Sequence, residues 1–156
     1  TTWSRGLGDV YKRQYKNKTI MATRCTIKID GVEYAKIYKH WDGYPEANYI
    51  WLKEFNDRFN KERGDDPSYK FAQLLRFASK YGEKFRLDES EFTGWGVIKY
   101  DAECWEEYEY WLTDKEVLVY RVSFDEKDNQ YLERIQEDEI QSMIKNLNES
   151  ISKGVL

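Results

Sequence analysis

Cys25-Thr26-Ile27-Lys28-Ile29-Asp30-Gly31-Val32-Glu33-Tyr34-Ala35-Lys36-Ile37-Tyr38-Lys39 is the stretch on which the reading of the fold turns. β-Branched and aromatic residues alternate with polar ones on both sides of Asp30-Gly31. A two-residue type I′ turn at that pair predicts a hairpin of two antiparallel strands. The implied register sets Cys25, Ile27 and Ile29 on one face with Val32, Tyr34, Lys36, Tyr38 and His40. Arg24, Thr26 and Lys28 then share the opposite face with Glu33, Ala35, Ile37 and Lys39, and neither face is cleanly apolar.

Working outward toward the C-terminus, the loop Trp41-Asp42-Gly43-Tyr44 leads to Pro45, suited to the first helical position, with Glu46 in the first turn. Ala47, Ile50, Trp51, Phe55 and Phe59 recur at helical spacing until Gly64 ends the helix. Asp66-Pro67 opens a second helix with Phe71, Leu74, Leu75, Ala78 and Tyr81 as its apolar stripe. Cap and turn chemistry accounts for the carboxylates of Asp65 and Asp66 without a metal. From Gly94 the period returns to two, and Trp95 to Tyr100, Trp105 to Leu112 and Val117 to Val122 read as a three-stranded meander. Leu132, Ile135, Ile140, Met143, Ile144, Leu147 and Ile151 form the stripe of a last amphipathic helix. The order β-β-α-α-β-β-β-α predicts an α+β domain, an antiparallel sheet of about five strands with helices on one face.

Toward the N-terminus, Asp9-Val10-Tyr11-Lys12-Arg13-Gln14 reverse-translates to a sequence like the mosaic end of transposon-based sequencing libraries. Residues 1–20 are therefore read as a non-native or disordered leader, and residues 21–156 as a single α+β domain starting at Met21. The leader carries Arg5, Lys12, Arg13, Lys16 and Lys18 against Asp9, a net of +4. The whole chain carries −4, which leaves −4 − 4 = −8 for residues 21–156.

Such a charge disfavours non-specific nucleic-acid binding, because the phosphate backbone is repelled. With 35% charged residues and no apolar run of about 20 residues, no membrane association is expected. No signal peptide follows Met21, and Cys25 and Cys104 form neither a disulfide framework nor a zinc spacing, so a cytoplasmic setting is the expectation. With one histidine and no nucleophile elbow, P-loop or zincin motif, no catalytic residue, metal or cofactor is assigned. The run Glu103, Glu106, Glu107 and Glu109 alternates with Tyr108 and Tyr110, as a solvated sheet face does.

Two segments remain. Met21-Ala22-Thr23-Arg24 and His40-Trp41-Asp42-Gly43-Tyr44-Pro45 resemble a group of small phage and prophage proteins of unknown function, which open with a similar MATR stretch and carry a similar HWDGYP motif before their first helix. The likeness covers residues 21 to about 60, and Lys39 departs from the small residue expected at its position. It implies a viral or mobile-element origin and, with that, a host-cell cytoplasm; it implies no activity.

The residues of the motif have what an anion site needs: a loop ending at a helix N-terminus, His40 at a strand end, and Arg24 at the start of the neighbouring strand. Trp41 and Tyr44 offer stacking surfaces, and Asp42 an acceptor for an exocyclic amine or ribose hydroxyl. In Thr93-Gly94-Trp95-Gly96 the glycines permit close backbone approach and Trp95 offers another ring. Arg24, His40, Trp41, Asp42, Tyr44 and Trp95 are thus the candidate ligand-binding set.

The ligand class is a nucleotide, bound without turnover; joined to the phage resemblance, this reads as a sponge for a host immune-signalling nucleotide, an anti-defence role. The same motif also reads as structure, with Asp42-Gly43 a turn, Trp41 and Tyr44 plugs, and His40 a staple to Asp42. Two other functions stand beside the sponge. One is an acidic protein-binding inhibitor using Glu103 to Glu109 and Asp125 to Glu139, and the other a small phosphodiesterase or hydrolase using His40 as base. The C-terminal helix offers a stripe for packing on its own sheet or in a homo-oligomer.

Overall fold

The computed structural model describes residues 23–82 and 94–154. Residues 1–20, Met21, Ala22 and Thr93 lie outside them. In chain order the elements are β1 (Cys25–Ile29), β2 (Ala35–Lys39), α1 (Pro45–Arg63), α2 (Pro67–Gly82), β3 (Trp95–Lys99), β4 (Tyr108–Leu112), β5 (Val117–Phe124), β6 (Gln130–Ile135) and α3 (Glu137–Ser152). The fold is α+β, and the described residues form six strands ordered β3-β2-β1-β4-β5-β6 where about five were expected. The sixth is Gln130–Ile135: Leu132 and Ile135 belong to a strand, and the last helix begins only at Glu137. Every neighbouring pair is antiparallel except β1 and β4, which run parallel.

The β1–β2 register corrects the expected one. Cys25 pairs with Lys39 and Ile27 with Ile37, so five residues, Asp30 to Tyr34, make the connection. The Val32 amide bonds the Ile29 carbonyl at 3.0 Å, and Gly31 has φ 87° while Asp30 does not have positive φ. A type I′ turn needs positive φ at both central residues; a single glycine at the third position is the pattern of a type II turn. Gly31 is also pressed on Pro67, whose Cγ would stand 2.7 Å from an added Cβ. The shift of three residues is odd, so it reverses the faces of β2 relative to β1. Ala35 and Ile37 now share a face with Cys25, Ile27 and Ile29, all buried, which leaves Lys39, opposite Cys25, as the polar residue these two strands place there.

Across it, one transverse row runs Ile37, Ile27, Tyr110, Val119 and Ile135, each at most 1% exposed. Each such side chain contributes on the order of 2 kcal/mol by leaving water. The helices cover this face: α1 touches β4, β5, α2 and α3, while α2 touches β1. Helix α1 buries Tyr49, Trp51, Leu52, Phe55 and Phe59. Ile50, expected in the stripe, is exposed instead, one residue off the buried arc. Gly64, at φ 66°, ends α1 with its amide on the Asn60 carbonyl.

Of the expected meander only the second hairpin forms, β4 pairing antiparallel with β5. β3 pairs only with β2 at the sheet edge, while β4 lies between β1 and β5. Residues 100–107 cross from one to the other over the face opposite the helices. The Lys28 ammonium, on that face, lies 4.6 Å from the Tyr100 ring, and the Glu107 amide bonds the Arg24 carbonyl at 2.9 Å. This crossing explains why polar side chains of the second face, Thr26, Lys36 and Glu109, are buried. Placing β4 centrally gives Tyr110 and Leu112 apolar neighbours on both sides, which a position beside the edge strand β3 would not supply.

Candidate functional site

The HWDGYP loop joins the end of β2 to α1 and is tied to three other elements. Gly43 donates its amide to the Thr23 carbonyl at 2.7 Å and accepts the buried Tyr110 hydroxyl at 2.6 Å. A Cβ there would meet the Arg24 carbonyl carbon, the Thr23 carbonyl oxygen and the Cys25 amide at 2.7–2.8 Å, so only glycine fits. Asp42 takes the left-handed conformation, φ 52°, which aspartate tolerates better than most residues. Lys39 donates to the Asp42 carbonyl at 3.0 Å and to Asn48 Oδ1 at 2.7 Å. Asn48, fully buried, returns its amide to the carbonyls of Asp42 and Tyr44. Burial pushes the Lys39 ammonium below its usual range, against the opposing pull of Cys25 and Asp42.

The candidate residues fall into three groups. Arg24 and His40 lie on the second face with Tyr38, which the ligand set had left out although alternation placed it beside His40. The Tyr38 hydroxyl is 2.7 Å from His40 Nδ1, and the edge of the His40 ring meets Trp41 at 4.9 Å between centroids. Burial, and then the nearby Arg24 charge, lower the His40 pKa, while burial raises that of Tyr38 to about 12. In the tautomer protonated on Nε2, the phenol donates to Nδ1 and the Nε2–H is left as a donor. Asp42 and Tyr44 form the second group, at the start of α1. Burial first, then Asp42 and Glu46, raise the Tyr44 phenol to about 12, and its hydroxyl is hydrogen-bonded to Asp42. Trp95 forms the third: it pairs with Lys39 on the helix-covered face and packs edge-on against Trp51 at 5.8 Å.

Two arrangements that these residues could offer a ligand or substrate do not form. His40 is stapled to Tyr38 and Asp42 to Tyr44, so no His–Asp dyad exists for base catalysis. His40 and Trp95 do not face each other across a cleft: the His40 amide bonds the Gly94 carbonyl at 2.9 Å, which places His40 on the second face, while Trp95 pairs with Lys39 on the helix-covered face, and the Trp41 ring lies directly on Gly94. The start of α1 is also poor for an anion. Pro45 has no N–H, the Ala47 amide is taken by the Tyr44 carbonyl, and Glu46 places a carboxylate in the first turn. That carboxylate already complements the helix dipole.

Neither cysteine is an activated nucleophile: burial raises both thiols to about 12. Among the described residues no group of three or more His, Cys, Asp or Glu is placed to hold a metal, and no helix is long and apolar enough to cross a membrane. Concavities among the described residues lie away from the motif, along α3 at Ile144 and Asn148 and between α1 and β6 at Lys53 and Arg134.

The acidic segments separate in the structure. Glu109 is buried, ion-paired with Lys28 and accepting the Trp111 indole N–H at 2.6 Å; it is not part of a solvated face. Residues 125–139 are different. Asp125, Glu126, Asp128, Glu133, Glu137, Asp138 and Glu139 are all exposed, seven carboxylates against Lys127 and Arg134, a net of −5. Asp125 shapes the β5–β6 turn by accepting the Lys127 and Asn129 amides, each at 2.8 Å. The bonds from Asn129 and Lys127 hold its carboxyl below the usual range. Glu137 to Glu139 form the first turn of α3. Phe124, Tyr131 and Leu132 are exposed on the same hairpin.

No protein-family model matches the chain, and neither a curated protein nor a solved structure does.

Proposed function

We propose that the protein acts by binding another protein, presenting the β5–β6 hairpin and the start of α3 as an acidic surface to a basic partner. The carrying observation is the clustering of seven exposed carboxylates with a net of −5 on residues 125–139 beside the exposed rings of Phe124 and Tyr131. Interfaces of this kind gain specificity and association rate from complementary charge and affinity from apolar anchors. The likeness of the MATR and HWDGYP stretches to phage and prophage proteins makes a bacterial host protein the partner to test first.

A second reading, sequestration of a nucleotide-type ligand without turnover, is favoured by one specific arrangement: the Tyr38 hydroxyl 2.7 Å from His40 Nδ1, which in the Nε2-protonated tautomer leaves Nε2–H as a donor beside Arg24 and the Trp41 ring. Here the ligand lies on the second-face edge of the sheet, not between His40 and Trp95.

One experiment addresses both. Immobilised full chain is incubated with bacterial extract, and its melting temperature is followed with cyclic nucleotides and ADP-ribose derivatives. Retention of a basic protein that moderate salt releases, and that the Glu126→Gln/Glu137→Gln/Asp138→Asn variant fails to retain, supports the first reading. Retention indifferent to that variant overturns it. A nucleotide-induced shift abolished by His40→Ala supports the second, and no shift with any nucleotide removes it.

A further inference from the structure

We infer that β6 takes up a basic, extended segment of a partner protein as a seventh strand of the sheet. This rests on the acidic-surface reading above and specifies how the partner is held.

The hydrogen-bond phase of the ladder shows which groups β6 offers. The Val122 amide bonds the Glu107 carbonyl at 2.9 Å, and the Asp125 amide bonds the Asn129 carbonyl at 3.0 Å. In an antiparallel pair the bonded positions recur at every second residue. Leu118, Tyr120 and Val122 therefore address β4, and Val119, Arg121 and Ser123 address β6. Their partners Ile135, Glu133 and Tyr131 are bonded inward. Gln130, Leu132 and Arg134 turn their amides and carbonyls away from the sheet, and β6 is the last strand in the order.

Edges of this kind are normally protected by lysines, prolines or bulges. β6 has no lysine and no proline, and its register with β5 runs without a bulge from Val119 opposite Ile135 to Phe124 opposite Gln130. Its one cation, Arg134, lies over the Tyr120 ring at 5.9 Å, on the sheet face rather than across the edge. Strand addition uses the backbone for affinity and alternate side chains for selection. The selecting side chains here are Leu132, exposed on one face of the hairpin, and Tyr131 and Glu133 on the other. The net of −5 over residues 125–139 chooses a cationic segment. The same charge opposes a second copy of this chain, because joining two β6 edges would bring two such acidic surfaces together.

The test uses the full chain with two synthetic eight-residue peptides, alternating lysine–valine and alternating glutamate–valine. The expected result is salt-sensitive binding of the lysine peptide alone, with hydrogen exchange of the Leu132 and Arg134 amides slowed on binding. Leu132→Pro and Leu132→Ala both lose the selecting side chain, but only the proline also removes the outward N–H, and neither breaks a ladder bond; Leu132→Pro should therefore bind about tenfold more weakly than Leu132→Ala, the loss expected for one hydrogen bond. If Leu132→Pro does not fold, the exchange measurement on the unaltered protein decides. Binding of the lysine peptide without slowed exchange overturns strand addition and leaves the acidic surface standing. Binding unaffected by Glu126→Gln/Glu137→Gln/Asp138→Asn, or no binding of either peptide, overturns both. Protection of the same amides in the protein alone, rising with its concentration, would identify a second copy as the occupant and also overturn the proposal.

Discussion

Replacing Gly43 by alanine removes one hydrogen atom and adds one methyl group, yet the fold leaves no room for it. The added carbon would stand 2.7–2.8 Å from the Arg24 carbonyl carbon, the Thr23 carbonyl oxygen and the Cys25 amide, all backbone atoms that no rotamer change can move. The loop must therefore lift from the start of β1. In doing so it breaks the Gly43 amide bond to Thr23 and the Tyr110 hydroxyl bond to the Gly43 carbonyl. Groups left buried without partners cost about 1–3 kcal/mol each, so Gly43→Ala should lose about 4 kcal/mol, a large part of the 5–15 kcal/mol typical of a domain. Gly96→Ala is the control, since a Cβ there meets nothing within 4 Å, and its effect should stay within about 0.5 kcal/mol. Urea unfolding followed by tryptophan fluorescence measures both, with the midpoint of Gly43→Ala lower by about 2 M for a slope near 2 kcal/mol/M. A loss below about 1 kcal/mol for Gly43→Ala, or equal losses for the two variants, would refute the reasoning that the motif is held by close backbone approach.

Other outcomes follow from the two faces of the sheet. His40 is the single histidine, so its proton resonance is read without ambiguity. Its midpoint should lie below 6.5 because burial and then Arg24 disfavour the cation, and a midpoint above that value contradicts the burial. Since the folded pKa is the lower one, the unfolded chain binds the proton first. Stability conferred by neutral His40 is complete above about pH 6.5 and is lost as pH falls toward the folded value. Comparing unfolding of the parent and His40→Gln between pH 7.5 and 5.5 checks this, and a parallel pH dependence in the two proteins would remove it. Glu109→Leu leaves Lys28 as a largely buried cation and should cost about 3–5 kcal/mol. Adding Lys28→Met should restore most of that loss, and additive losses in this double-mutant cycle would show that the pair is not coupled.

Local chemistry was readable from the residues. Pro45 and Asp66-Pro67 start the two helices where fixed φ and a missing N–H demand, and Gly64 ends the first because only glycine adopts its φ of 66° without strain. What failed did so for identifiable reasons. Asp30-Gly31 is a turn, but the pair alone does not choose between a two-residue loop and a five-residue connection; burial of Val32 and contact with Pro67 choose. Leu132 and Ile135 stand three apart and fit a helical stripe, yet Ile135 completes the row that Val119 begins. In the motif, the presence of His40, Asp42 and Tyr44 was legible and their pairing was not. Sequence proximity suggested His40 with Asp42, whereas pleating carries His40 to Tyr38 and the left-handed turn carries Asp42 to Tyr44.

The sequence by itself determined the fold class, the starts of α1 and α2, the net charge and the acidic character of residues 125–139, because each of these follows from neighbours within a few positions. Only the tertiary structure decided which face of β2 is buried, that β4 enters the centre beside β1, that Glu109 is buried while Asp125 to Glu139 remain in water, and that β6 ends the sheet with its backbone turned outward. Those outcomes depend on pairings between residues up to about 80 positions apart, such as Ile27 with Tyr110. Their free energy is realised only when the distant strand arrives, so no local window of the sequence contains it.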